Sequence, residues 1–242
     1  MITLGMWKNI NLERCLDHIN SSADAELASP PEARPAITVS RMCGSGGRTV
    51  ASKLAEYLDP HAPYGIHWTI FDQGLIKKVL EDHRLPVRLA GLLPERSQSF
   101  LREMMEKLRG KNPSASKIVE QTVETIWRLA QGGYVILVGR GANVVTARLR
   151  NVFHVRLVGS LQNRLERLEE VYDFDRRTAM DFLKSQDSAK KLYLKAYFGE
   201  EIENPELYHL IVNTDRIAYG DAARLIGDAV IHWFKMAPTA KT

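Results

Sequence analysis

Apolar and polar positions alternate along this chain in two distinct rhythms. From Ala36 onward, short β-rich runs are followed by stretches with helical spacing. "AITVS" is the first such run, and "RTVASKLAEYL" then places Val50, Leu54, Tyr57 and Leu58 on one helical face. "IHWTIF" predicts a second strand. "DQGLIKKVLEDH" predicts a helix with Asp72 as its N-cap. Residues 94–131 predict two helices separated by "GKNPS", where Asn112 or Ser114 caps the second. "YVILVG" is continuously apolar, the mark of a strand covered on both faces. "NVFHVRLVG" predicts another strand, and the helix "SLQNRLERLEEVY" follows it. A long polar helical region covers about residues 175–198, before a last strand, "YHLIVNT", and a last helix, "GDAARLIGDAVIHWF". Strands alternating with helices predict an α/β fold with a parallel sheet covered on both faces.

The first 35 residues differ from the rest. Ile10, Leu12, Leu16 and Ile19 make a short amphipathic pattern, and "SSADAELASPPEARP" has the composition of a linker. We therefore divide the chain into a helical arm and linker, 1–35, and a main domain, 36–242. The arm is a candidate dimerisation element. No internal repeat or low-complexity tract stands out.

Composition adds little to this division. The 242 residues are 45% apolar, enough for a sizeable core, and 26% charged. The net charge of +4 suits an anionic small molecule as well as nucleic acid, so it does not discriminate. No window approaches an uninterrupted apolar run of about 18 residues, so no membrane span is expected. The N-terminus lacks a basic flank followed by an apolar core, so a signal peptide is not expected. Cys15 and Cys43 do not make a disulfide framework, and a cytoplasmic location is the default. His67, His83, His154 and His209 show no metal-ligand spacing, and no Ser-His-Asp or Cys-His pattern emerges.

Ligands of open parallel sheets bind at the carboxyl ends of the strands. Three such ends carry chemistry: "SRMCGSGGRT", "FDQG" and "GRGAN". In the first, Gly44, Ser45, Gly46 and Gly47 allow backbone N–H groups to turn around an oxyanion, and a helix follows directly. Arg48 is a candidate cation and Thr49 a candidate hydroxyl for Mg²⁺. The pattern G-x-x-x-x-G-K-S/T does not match, because position 41 is Arg and position 47 is Gly. An arginine is a planar fork, where lysine is a point charge. Either Arg48 serves the phosphates, or it serves the sheet edge while Arg41 does that work.

The motifs "SRMCGSGGRTVASKLAEYL", "FDQGLI", "VILVGRGAN", "QDSAKKLYLKAYFG" and "HLIVNT", in this order, resemble the cytidylate kinase-like family of P-loop proteins. The resemblance runs from about Ile37 to the last helix. It implies a three-layer P-loop NTPase fold with a five-stranded parallel sheet, a helical acceptor-binding segment and a small lid at about 173–200. It implies ATP and Mg²⁺ as donor and a nucleoside monophosphate, CMP or dCMP, as acceptor, with no nucleic-acid or membrane partner. Gly44, Ser45 and Gly46 match the "GSG" of ordinary cytidylate kinases, and Arg41 and Arg48 fit the divergent pattern "SR-x-x-GSGGR". By the same resemblance Thr49 lies near the metal, and Asp72 and Arg140 hold the acceptor. The aspartate that usually follows that arginine is Gly141 here. The lid would act through Asp187, Lys190 and Lys195, with lysine where arginine is usual. Asn213 and Thr214 would border the adenine.

Each candidate also has a plain structural role. Arg140 suits an exposed loop, Asp72 a helix cap, and Asp187 with Lys190 a surface i,i+3 pair. Lys190, Lys191 and Lys195 suit one solvated helix face. Arg164 and Arg167 alternate with Glu166, Glu169 and Glu170, so a salt-bridged surface helix and a nucleotide-facing one are equally compatible. The expected function is an ATP-dependent nucleoside monophosphate kinase. A nucleotide-binding sensor with little catalysis, or a kinase of another small acceptor, are the alternatives.

Overall fold

The structure, a computed structural model, describes residues 34–72 and 116–236. The expected N-terminal arm, the helix after Asp72, the first of the two helices in 94–131 and both candidate caps, Asn112 and Ser114, lie outside the described residues.

Five parallel strands form one sheet in the order β2-β3-β1-β4-β5. They are β1 (Ala36–Arg41), β2 (Thr69–Phe71), β3 (Val135–Val138), β4 (Val152–Val158) and β5 (Leu210–Asn213). Each coincides with an apolar run of the sequence. Registers such as Ile37 opposite both Ile136 and Phe153 bring the carboxyl ends of β1, β3 and β4 to one edge.

Both sheet faces are covered, and the period-two alternation of the strands sorts their side chains between them. Val135 and Leu137 enter one core with Trp127, Ile126 and Val123 of α2 (Ser116–Gly132). Ile136 and Val138 enter the other, with Val50, Leu54 and Leu58 of α1 (Gly47–Leu58) and Ile226 and Val230 of α6 (Tyr219–Phe234). A Cβ on Gly227 would stand 2.4 Å from the Tyr57 ring, so the close packing of α6 on α1 needs glycine there. A short helix, α3 (Ala142–Val145), follows the β3 turn.

The remaining pair lies at the loop edge. α4 (Leu161–Tyr172) starts at Ser160, whose Oγ accepts from the Asn163 amide. α5 (Arg176–Phe198) starts at Asp175, whose carboxylate accepts from the Arg177 and Thr178 amides, and ends at Gly199 in the left-handed region. Leu165 and Leu168 of α4 pack on Ala179 and Leu183 of α5, with Cys43 of the glycine loop against them. The segment expected as a lid is thus mostly one 23-residue helix. Among the described residues no helix is long and apolar enough to cross a membrane.

A histidine pair, His154 buried and His209 exposed, links β1 and β4 to the residue that precedes β5. His154 Nδ1 lies 2.8 Å from Thr38 Oγ1, and its backbone N–H donates to His209 Nδ1 at 2.9 Å. Burial, with His209 adding to it, holds His154 down at about 3, and burial also lowers His209. The folded state therefore refuses a proton that the unfolded chain accepts below its ordinary value of about 6.5. Stability from this site is complete above that value and is lost as pH falls through the window down to about 3. Unfolding free energy should drop by about 1.4 kcal/mol per pH unit within this window. Urea denaturation at stepped pH should show a shallower slope for His154→Gln, and an unchanged slope would contradict the assignment.

Candidate functional site

The turn after β1 is where the glycines act. Gly44 and Gly46 have φ of +80° and +79°, a region that other residues seldom adopt. A Cβ at Gly44 would stand 2.5 Å from the Arg164 carbonyl oxygen, and one at Gly46 would stand 2.3 Å from the Tyr219 ring. Ser45 is buried and its Oγ donates to the Met42 carbonyl at 2.9 Å, so its hydroxyl closes the turn from within. The α1 ladder begins with Val50 N–H to Gly46 O at 2.9 Å. The amides of Gly46, Gly47 and Arg48 precede that bond and are the donors that a helix start leaves for an anion.

The two loop arginines have different surroundings. Arg48 pairs with Asp72, the residue just beyond β2, and its side chain is 62% exposed. Arg41 is withdrawn. Its stem runs along Gly47, where a Cβ would stand 2.8 Å from Arg41 Cγ, and its tip reaches Gly139, where a Cβ would stand 2.1 Å from Nη1. Burial lowers its pKa, with Asp72 opposing and Arg48 and Arg140 adding to the effect. Among the described residues Arg41 forms no ion pair.

Asp187 of α5 is the junction of the site. Its Oδ1 accepts from the Cys43 backbone N–H at 2.7 Å and from Lys190 Nζ at 3.1 Å. Its Oδ2 accepts from Arg164 Nη1 at 2.6 Å, and Arg164 also donates to the Cys43 carbonyl at 3.2 Å. The i,i+3 pair anticipated from the sequence is present, but it faces the loop. Burial lowers the Lys190 pKa against the pull of Asp187, and burial raises that of Cys43. Lys191 and Lys195 diverge from Lys190: they pair at the surface with Glu203 and Glu201. The three lysines therefore do not act as one face.

Arg140 sits in the left-handed region at φ +58°, between Gly139 at +87° and Gly141 at +68°. A non-glycine residue in this region stores strain, a frequent property of binding turns. Its guanidinium lies 5.9 Å from the Tyr193 ring centroid and has no carboxylate partner among the described residues. A Cβ at Gly141 would stand 2.9 Å from the Phe198 ring, so α5 closes directly over this turn.

Two cavities flank the loop. One, of about 360 Å³, is lined by Arg41, Arg140, Lys190, Asn143, Gln186 and Tyr193, among others. Asn143 is 5% exposed, and its Nδ2 has no hydrogen-bond partner among the described residues. Burial pushes the Tyr193 phenol up to about 12, so it stays protonated. Behind the wall, Arg156 is 4% exposed and donates to Ser40 Oγ at 3.1 Å, with no carboxylate partner among the described residues. Cations that outnumber nearby carboxylates and an unmatched amide donor suit an anion. The other cavity, of about 260 Å³, is lined by Gly44, Asn163, Arg164, Thr214, Asp215 and Tyr219, among others. It opens between the loop and the end of β5. Thr214 lines it and Asn213 does not, and the Thr214 Oγ1 donates to the Val158 carbonyl at 3.1 Å.

Thr49 differs from its expected setting. Its Oγ1 accepts from Arg167 Nη2 at 2.6 Å, and that guanidinium lies 4.3 Å from the Tyr219 ring centroid. A hydroxyl already facing a cation does not fit Mg²⁺ in this arrangement. Among the described residues no group of three or more His, Cys, Asp or Glu side chains gathers to hold a metal.

The sequence leaves Arg164 and Arg167 undecided, and the structure places both at the loop. It does not single out Asn143, Arg156, Tyr193 or Tyr219. Charge alternation along α4 cannot reveal which arginines turn inward, because that depends on how α4 packs on α5. Asp187→Ala would leave Arg164 and the Cys43 amide without their acceptor. It should cost about 2–3 kcal/mol by urea denaturation and speed hydrogen exchange at the Cys43 amide. Unchanged stability and exchange would show that the junction is incidental.

No curated protein matches the chain. Among solved structures, that of an uncharacterized protein from Eubacterium ventriosum is similar, with a TM-score of 0.61 and 20% sequence identity, covering 84% of this chain and 98% of that one. At that identity the likeness speaks for the fold alone. Residues 36–216 match the cytidylate kinase-like family, so the chain belongs to that family of nucleotide-kinase-like proteins.

Proposed function

We propose that the protein is an ATP-dependent nucleoside monophosphate kinase acting on CMP or dCMP. The observation that carries this reading is the pair of cavities on opposite sides of one glycine loop. The cavity between Gly44 and Thr214 suits the donor base and sugar, and the loop amides suit its phosphates. The cavity lined by Arg140, Lys190 and Asn143 suits the acceptor phosphate.

In the reaction, an oxygen of the acceptor phosphate attacks the donor γ-phosphorus and a new O–P bond forms. The bond from that phosphorus to the β–γ bridging oxygen breaks, and its electron pair leaves with ADP. Such transfer depends on alignment and on neutralising charge over the equatorial oxygens. Arg140 and Lys190 reach the reacting zone from different elements, β3's turn and α5. Helix α5, latched through Asp187, excludes water from the zone between the cavities. Family membership supports ATP·Mg²⁺ as donor. Because Thr49 is engaged by Arg167, no step is assigned to a metal held by the protein.

A second reading is nucleotide binding with little turnover. The occupied Thr49 hydroxyl and the absence of a lysine at Gly47 favour it. Incubating CMP, dCMP, UMP and AMP separately with ATP·Mg²⁺ decides between the two. The kinase reading expects ADP and the matching nucleoside diphosphate in equal amounts, with the cytidylates fastest. Tight ATP binding with no transfer to any of the four would leave the second reading standing.

A further inference from the structure

The loop differs from the pattern G-x-x-x-x-G-K at both ends, and the two differences are reciprocal. Arg41 stands at the first position, where glycine is the rule, and Gly47 stands at the seventh, where lysine is the rule. Their contact in the structure explains the exchange. The Arg41 stem occupies the space that a side chain at 47 would need: a Cβ there would stand 2.8 Å from Cγ and 3.3 Å from both Cβ and Cδ of Arg41. The arginine thus lies across the first residue of α1, at the helix start that favours an anion.

Its far end lies against Gly139. A Cβ at Gly139 would stand 2.1 Å from Nη1 and 2.9 Å from Cζ, so a side chain there would push the guanidinium aside. The charge is therefore carried from the loop to the wall of the cation-lined cavity that Arg140 and Lys190 share. A guanidinium has five N–H donors, and desolvating them without acceptors is costly. Arg41 is half-buried at the wall of that cavity, and no ion pair binds it among the described residues, while Asp72 is held by Arg48. Beside it, Asn143 Nδ2 is buried and also lacks an acceptor among the described residues. Two unmatched donors facing one cavity point to an anion that supplies the acceptors.

We propose that Arg41, laid across Gly47, is the loop's phosphate-binding cation, and that cation and glycine have exchanged the two ends of the loop. This rests on the kinase reading in placing a polyphosphate at the loop. Arg48, exposed and paired with Asp72, instead ties the end of β2 to α1. The consequence is chemical as well as positional. A lysine at the helix start meets the phosphates as a point charge, whereas a guanidinium offers two parallel donors to two oxygens. Positioned between loop and cavity, Arg41 spans donor and acceptor phosphates.

Titration calorimetry with inorganic tripolyphosphate, and separately with ATP, tests this in the full chain. Arg41→Met keeps the stem and removes the charge; Arg48→Met removes the same charge from the same loop. Tripolyphosphate should bind Arg41→Met at least about tenfold more weakly than wild type, and Arg48→Met within about threefold of it. Arg41→Gly and Gly47→Lys should each weaken binding, and the double substitution should bind more tightly than either alone, because a lysine at 47 needs the space that Arg41 vacates. Wild type that fails to bind tripolyphosphate, equal losses in the two methionine variants, or an Arg41→Met affinity within about twofold of wild type would overturn the assignment. A double variant that does not fold leaves the two methionine variants to decide. If tripolyphosphate binding follows Arg41 but no nucleoside monophosphate is phosphorylated, the kinase reading fails and the assignment stands.

Discussion

The arrangement depends on one side chain needing the absence of two others. Arg41 leaves the end of β1, crosses Gly47 and stops against Gly139, and neither neighbour could carry a Cβ without displacing it. The sheet makes this possible. Because β1 is paired directly with β3, the turn at Gly139 lies beside the end of the strand that carries Arg41. A cation is thereby fixed at the boundary between the glycine loop and the cavity beneath α5, by packing along its stem.

Electrostatics complete what packing begins. Asp187 joins α5 to the loop amide of Cys43 and to Arg164 of α4, and it draws Lys190 to the same point. One carboxylate is shared by two cations, so the site keeps a positive excess despite the junction. Arg140, strained into the left-handed region, and buried Arg156 add to that excess from β3's turn and from β4. Positive charge thus converges from elements far apart in sequence, which is what stabilising a migrating phosphoryl group requires.

Much of the fold was legible because burial on both faces leaves continuous apolar runs. "YVILVG" could be little else than a covered strand, and β3 occupies Val135–Val138 within it. The polar helices α4 and α5 lie where helical stretches stand in the sequence, and Ser160 and Asp175 cap them. The site was legible only in part. Gly44, Gly46 and Arg140 declared themselves through strand–turn–helix context. Arg164 and Arg167 did not, since alternating charges read the same on a solvated face and on one packed at the loop, and Lys190 was named only through the family resemblance. The Arg41–Gly47 exchange was visible as two departures from a pattern, but their connection is a contact, and contacts across a turn leave no periodic trace.

Where each loop arginine lies when the phosphates are bound is decisive. The most direct measurement is a crystal structure of the chain with a non-hydrolysable ATP analogue and a nucleoside monophosphate. We predict the Arg41 stem across Gly47 and its guanidinium beside Gly139, donating to phosphate oxygens at about 2.7–2.9 Å, with Arg48 still on Asp72. Arg48 on the phosphates, with Arg41 turned away from them, would contradict it.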